Sequence, residues 1–341
     1  MANKALSICI ATYNRAQFIG ATLESILPQL TDDVEVLVVD GASPDNTEEI
    51  VLRYGEQCSQ LKYIRLAAKG GVDQDYDRAV GLAEGEFCWL FSDDDILKPG
   101  AVRAVLDVIG EDYSLVVVNS EIRNADLSEL LAERKWAMTS DRVYEDDSPD
   151  KERFLAEVGD YLTFIGGVVI RRSVWLSRDR AKYYGSRFIH VGVIFQSMLP
   201  GKILVIATPW IVIRLGNAEW ANLGFDIWMF KWPELIWSFT DFSDFSKRAV
   251  CRRLPWQRLH SLIYYRALGI YSLTEYSKWL ECRLQLKWQR LTARVITLMP
   301  FWIAQSILKL YAAIHRDRLL IYNLRNSRAS HRVGKTSCEK A

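Results

Sequence analysis

Three consecutive carboxylates, Asp93, Asp94 and Asp95, follow directly on the apolar run Phe87 to Phe91 in the stretch FCWLFSDDDILKPG. Neighbouring like charges oppose one another's ionisation, so a folded chain keeps them together only where a cation or hydrogen-bond donors compensate. A hard divalent ion such as Mg2+ or Mn2+ compensates well. It takes one or two protein carboxylates and fills its remaining positions with substrate phosphates. The cluster therefore points to a phosphorylated ligand, with a solvated acidic loop or a helix cap as the plainer alternative. Two other apolar runs also end in polar groups: Leu6 to Ala11 runs into Thr12-Tyr13-Asn14, and Val34 to Val39 into Asp40-Gly41.

The elements that must position these groups alternate. Strand-like runs at Leu6–Ala11, Val34–Val39, Leu61–Leu66 and Glu86–Phe91 are separated by helical patterns, the first carried by Phe18, Ile19, Leu23, Ile26, Leu27 and Leu30. Asn14 with Gln17, and Asp45 with Glu48, have the spacing of capping boxes at two helix starts. Strands alternating with single helices predict βαβ units, and strands apolar on both faces suit a buried parallel sheet. The fold class expected is α/β, a doubly wound and mainly parallel sheet with helices on both faces. In such sheets ligands bind beyond the carboxyl ends of the strands, so the three polar groups should converge.

Further along, AVRAVLDVIG and YSLVVVNS continue the pattern to Ser120, while Glu121 to Asp160 is charged and ambiguous, with a helix or two and a mobile loop around EDDSPD expected. TFIGGVVIRRSVW and KILVIATPWIVIRLG read as strands. After Gly224 the pattern becomes helical and rich in Trp, Tyr, Leu and Arg. Residues 1–224 are therefore expected to form one α/β domain and 225–341 a helical, basic, aromatic-rich region with a frayed tail.

Composition is that of a globular protein, with 50% hydrophobic and 25% charged residues and a net charge of +1. That near-neutrality hides an asymmetry: 23 Lys and Arg against 34 Asp and Glu up to Gly224, then 20 against 8. A basic back region suits an anionic surface such as phospholipid or nucleic acid, or is an exposed helical region that happens to be Arg-rich; the partner expected is an anionic membrane surface and not nucleic acid. The run Val295 to Ile314 has the length of a membrane span, but Gln305 and Lys309 interrupt it and Pro300 would bend it. An amphipathic helix on a membrane, with Leu298, Phe301, Trp302, Ile307, Leu308 and Tyr311 as its apolar face, or a helix packed in the fold, fits better. The six cysteines form no C-x-x-C pair, and the N-terminal stretch is too quickly polar for a signal peptide, so a cytoplasmic protein with reduced thiols is expected.

The pieces LSICIATYNRAQFIGATLESIL, VEVLVVDGASPDNT and GGVDQDYDRAVGLAEGEFCWLFSDDDILKPGAV resemble, in order and spacing, the family 2 glycosyltransferases with the GT-A fold. The Ser-Asp-Asp-Asp sequence is similar to that of abequosyltransferase-like enzymes of bacterial O-antigen assembly. The resemblance implies that Ala11, Thr12 and Tyr13 hold the nucleotide of a diphosphate-sugar donor, that Asp40 hydrogen-bonds its base, and that Asp77 lies near it. The family's Asp-x-Asp metal motif falls on Ser92-Asp93-Asp94. It places Asp94 on the Mg2+ or Mn2+ ion that bridges the diphosphate, Asp95 beside it at the metal site supporting the loop, and Asp93 on the ribose or sugar. Ser92 departs from the family's usual acid.

The family's general base is an acid about a hundred residues after the metal motif, yet Asp179 is the only carboxylate between Phe164 and Gly216. His190 occupies the approximate place of that acid and is the expected base, with Asp179 and Asp160 as alternatives; a packed or capping histidine is the other reading. Arg214 and Trp220 in RLGNAEW could line the acceptor or diphosphate site. The function expected is metal-dependent, inverting transfer of a sugar to a saccharide acceptor carried on a polyprenyl diphosphate, at the cytoplasmic face of the inner membrane. The alternative is a noncatalytic nucleotide- or glycan-binding subunit that retains the fold.

Overall fold

The computed structural model describes residues 4–110, 112–217 and 224–327. Trp220 lies outside the described residues. Packing divides the chain into two compact units: Met1–Arg214 with Trp237–Val250, and Leu215–Ile236 with Cys251–Ala341. This partition follows packing, whereas the division at residue 224 followed a change of composition.

The first unit is built on a mixed sheet. Its strands are β1 (Leu6–Thr12), β2 (Val34–Asp40), β3 (Leu61–Arg65), β4 (Phe87–Phe91), β5 (Ile96–Leu97), β6 (Tyr113–Arg123), β7 (Leu130–Ala132), β8 (Arg142–Tyr144), β9 (Val168–Arg171) and β10 (Lys202–Arg214). The spatial order is β3-β2-β1-β4-β9-β6-β10-β5, with β7 beside β6 and β8 beside β10. β3, β2, β1 and β4 are parallel, as are β6 and β10; β9 runs against both of its neighbours. The α/β expectation is met, and the long strands other than β9 share one direction.

Connecting helices α1 (Ala16–Ile26), α2 (Thr47–Gly55), α3 (Val72–Leu82), α4 (Ala101–Leu106), α5 (Ser148–Val158), α6 (Arg172–Leu176) and α7 (Ile189–Phe195) complete the layers. All seven residues of β2 are buried, which is why its sequence shows no alternation. Of its two carboxylates, Glu35 accepts from Ser7 Oγ at 2.6 Å and the Glu84 amide at 2.7 Å and pairs with Lys62 Nζ at 2.8 Å. Pro209 is tolerated within β10 because the register shifts on either side of it, so no ladder hydrogen bond is asked of its nitrogen.

Several local expectations are corrected. Neither capping box forms. Asn14 adopts a left-handed φ of 59°, and Asp45 instead divides its carboxylate between both helix starts. One oxygen accepts the Ala16 amide at 2.9 Å and the other the Thr47 hydroxyl at 2.6 Å and amide at 3.2 Å. Glu48 turns to Arg65, 3.2 Å away. EDDSPD is a helix start: the Asp147 side chain accepts the Asp150 amide at 2.8 Å and Pro149 stands in the first turn of α5. In TFIGGVVIRRSVW only Val168–Arg171 is strand, and helix α6 begins at once.

The second unit is helical. Phe225, Phe230, Tyr265, Tyr271 and Trp256 form its aromatic core, with Phe225 and Tyr271 stacked at 5.1 Å. No single helix among the described residues is long and apolar enough to cross a membrane. The expected bend is present: Lys287–Leu298 and Phe301–His315 meet at 98° around Pro300 and reach the length and composition of a span only as a pair.

Candidate active site

The register of the parallel strands brings the polar ends together. Thr12 lies opposite Asp40 across β1 and β2, and Ile10 lies opposite Phe91 across β1 and β4, so Asp93 follows at about the level of Thr12. Helix α3 fixes the end of β4 by a hydrogen bond from Tyr76 Oη to the Phe91 carbonyl at 2.8 Å. The Gly41 amide, just beyond β2, donates to the Thr12 carbonyl at 2.9 Å.

Around Gly41 the site narrows. A Cβ there would stand 3.2 Å from Asp75 Oδ2 and 3.6 Å from the Tyr13 ring, so glycine leaves open a cradle between an aromatic face and a carboxylate. Lys69 Nζ sits 3.4 Å from the centroid of that ring. Asp75 is buried, and burial and the nearby Asp40 charge raise its pKa to about 6 against the pull of Lys69. Its Oδ1 meets no hydrogen-bond donor. Sequence reading missed Asp75; its signal was the alternation of carboxylates in DQDYD, two residues before the position matched to the family.

Asp40 is fully buried at the end of β2. Oδ1 accepts from the Ser43 amide at 2.8 Å and its hydroxyl at 2.7 Å, and Oδ2 from Tyr63 Oη at 2.6 Å. Asp77 is drawn elsewhere. It accepts from Trp175 Nε1 at 2.9 Å, Arg180 Nε at 2.7 Å and the Tyr184 hydroxyl, and so fastens α3 to the segment after β9.

The carboxylate triplet has its own counter-ions. Arg15, only 8% exposed, reaches Asp93 Oδ1 through Nε at 3.1 Å and also pairs with Asp94 Oδ2 through Nη2. Burial and the Asp94 charge nevertheless raise the pKa of Asp93 to about 7. Asp95 is buried, its Oδ1 accepts the Arg214 amide at 2.9 Å, and burial and Asp94 push its pKa well up. Arg214 also donates Nε to the Asp94 carbonyl at 3.0 Å. Both guanidinium groups lie over Phe18, Arg15 at 4.7 Å and Arg214 at 5.2 Å from its centroid.

Among the described residues no three His, Cys, Asp or Glu side chains gather to hold a metal by themselves. The fold family implies a divalent cation. A Mg2+ or Mn2+ ion shared with a diphosphate needs only one or two carboxylates. Asp93 and Asp94, side by side and already sharing one cation, suit that part; Asp95 Oδ1 is committed to Arg214.

His190 begins α7 as expected, but it is 1% exposed. The Leu162 carbonyl can only accept, so the 2.7 Å contact puts the ring proton on Nε2 and leaves Nδ1 as an enclosed lone pair. Burial lowers its pKa to about 4. The loop before α7 is held by Asp73, also buried, which accepts the amides of Gly185 and Arg187 at 2.8 Å and of Ile189 at 3.1 Å. Asp179 and Asp160 are both exposed.

A doubly wound sheet whose adjacent parallel strands end in Thr12, Asp40-Gly41 and the Asp93-Asp94 pair has the arrangement of a GT-A-type enzyme that uses nucleotide-activated sugars. Residues 7–175 match the glycosyl transferase family 2 model, and the chain belongs to that family. It is 26% identical over 230 residues to the abequosyltransferase RfbV of Salmonella typhimurium, covering 64% of this chain and 69% of that one. It is 30% identical over 115 residues to the GalNAc(5)-diNAcBac-PP-undecaprenol beta-1,3-glucosyltransferase of Campylobacter jejuni, a match spanning 33% of this chain and only 37% of that relative. The S. aureus TarS fragment 1–349 has the same fold, with a TM-score of 0.57 at 17% identity over 97% of this chain and 92% of that fragment; its structure is also known in complex with UDP.

Proposed function

We propose that this glycosyltransferase moves a sugar, with inversion, from a nucleoside diphosphate donor to a saccharide carried on a polyprenyl diphosphate, in the assembly of a bacterial O-antigen or related surface polysaccharide. The observation that carries the reading is the convergence of Thr12, Asp40-Gly41 and Asp93-Asp94 at the ends of three adjacent parallel strands. The nucleotide would lie against Ala11, Thr12 and Tyr13, with Asp40 at its base and Asp77 holding the neighbouring segment. Asp93 and Asp94 face the diphosphate, where a Mg2+ or Mn2+ ion, when bound, neutralises charge on the departing group. Asp95 braces the loop, and Arg214 and Trp220 remain proposed for the diphosphate or acceptor side.

Inversion requires a proton acceptor on the face opposite the diphosphate. We assign that role to His190 Nδ1, whose tautomer is set for acceptance by the Leu162 contact. Its enclosure has to open as the acceptor binds. The lipid-linked acceptor is favoured by the name of the Campylobacter relative, which includes a PP-undecaprenol glycan. It is also favoured by the second unit, where Trp288, Leu291, Val295 and Leu298 form an exposed stripe at three- and four-residue spacing beside Lys287 and Arg294. Such a face suits an anionic membrane surface, here that of the cytoplasmic leaflet.

Calorimetric titration with UDP, GDP, CDP and dTDP, with and without Mn2+, tests the reading on the wild type and on Asp94→Ala. Binding of one nucleotide that depends on Mn2+ and is lost in the variant supports it. Binding of none returns the cluster to an acidic loop, and binding indifferent to Mn2+ removes the metal from the proposal.

A further inference from the structure

We propose that Arg15 is the resident counter-ion of the Asp93-Asp94 pair and competes with the divalent cation for those two carboxylates. This rests on the metal part of the function proposed above and adds a residue that the family motif did not nominate. Four observations support it. Nε meets Asp93 Oδ1 at 3.1 Å while Nη2 meets Asp94 Oδ2, so one guanidinium spans both carboxylates. The side chain is 8% exposed and lies against Phe18, in a site built for a cation rather than on a surface pair. Its backbone amide is fixed by Thr47 Oγ1 at 3.1 Å, so the side chain alone would move. Finally, Asp95 Oδ1 is held by the Arg214 amide, which leaves Asp93 and Asp94 as the carboxylates for an incoming ion.

Charge explains why such an arrangement helps. Two carboxylates left without a cation in a water-poor site repel each other, and Arg15 removes that cost while no donor is bound. A divalent ion arriving with the donor diphosphate replaces the guanidinium. The released side chain, still beside the site, becomes a second positive group for the phosphates. Ion and diphosphate are thereby favoured together over either alone, which ties occupancy of the metal position to the presence of donor.

Mn2+ alone provides the test, with binding read from the free-ion electron paramagnetic resonance signal in the absence of any nucleotide. Arg15→Gln keeps a polar side chain but removes the competing charge, and should bind Mn2+ at least about tenfold more tightly than the wild type, the equivalent of about 1.4 kcal/mol. Arg15→Lys keeps a charge without the two-pronged geometry and should fall between them. Adding Asp94→Ala to Arg15→Gln should abolish the gain. Equal Mn2+ affinity in wild type, Arg15→Gln and Arg15→Lys overturns the proposal, and the Lys variant keeps that outcome readable if the Gln variant misfolds. Absence of Mn2+ binding in every variant overturns this inference alone; metal dependence of donor binding is decided separately by the nucleotide titration with and without Mn2+.

Discussion

Asp95 Oδ1 accepts the backbone amide of Arg214 at 2.9 Å, tying the turn after β4 to the last residue of β10, 119 positions further along the chain. The third carboxylate of the acidic triplet is thus an internal fastening, made in a buried place where ionisation is disfavoured.

Asp95→Ala should therefore unfold more easily than wild type by about 1–3 kcal/mol, because it strands a buried amide. Asp95→Asn, which keeps an acceptor oxygen, should cost less. Urea unfolding of both variants checks this; equal losses would show that the Arg214 bond is not what the residue supplies.

His190 gives the fold an acid sensitivity of definite sign. Its folded pKa of about 4 lies below the ordinary 6.5, so the unfolded chain binds the extra proton between those values. The stabilisation is complete above pH 6.5 and is lost as pH falls through the window to 4. Between pH 7 and pH 5 this histidine should account for about 2 kcal/mol of lost stability. Urea unfolding at the two pH values should show that loss shrinking in His190→Gln.

The same variant tests the proton-acceptor role. If Nδ1 takes the acceptor's proton, kcat should fall by about 10²–10⁴-fold while nucleotide affinity stays unchanged. Activity within a few-fold of wild type would assign the ring to packing alone.

Asp73 holds three amides ahead of α7, against the burial that raises its pKa. Asp73→Ala should cost about 2–4 kcal/mol, since three donors lose a buried acceptor together. It should also speed amide exchange at Gly185, Arg187 and Ile189. Exchange unchanged at those three sites would overturn the assignment.

The bent helix pair gives a surface prediction. Leu298 and Ile314 are 70% and 69% exposed, so Leu298→Asp with Ile314→Asp should leave stability within about 1 kcal/mol. Flotation with phosphatidylglycerol vesicles should nevertheless weaken at least about tenfold, since each buried apolar side chain contributes about 1.5–3 kcal/mol. Unchanged flotation would remove this face from membrane binding. Phe301 and Leu308, expected on that face, are half-buried instead: Arg266 lies 4.1 Å over the Phe301 ring, and Leu308 packs on Ala267, Ala304 and Leu324.

The sequence by itself determined the alternation of strands and helices, the class of the sheet and the strand ends at which the polar groups gather. Those depend on periodicity and on apolar runs, which are local properties. The bend at Pro300 was legible for the same reason, since proline removes an amide and restricts the residue before it. Tertiary structure alone decided what each carboxylate faces. Asp93, Asp94 and Asp95 are indistinguishable along the chain, yet Arg15 claims two of them and the end of β10 claims the third. Asp45, spaced like a capping residue for one helix, serves two, and Asp77 is drawn away by Trp175 and Arg180, about a hundred residues later. His190 was placed correctly at a helix start, but its enclosure comes from the packing of α7 and from its bond to Leu162. The partner of a buried polar group is whichever donor the completed fold brings within about 3 Å, and local sequence carries no record of that distance.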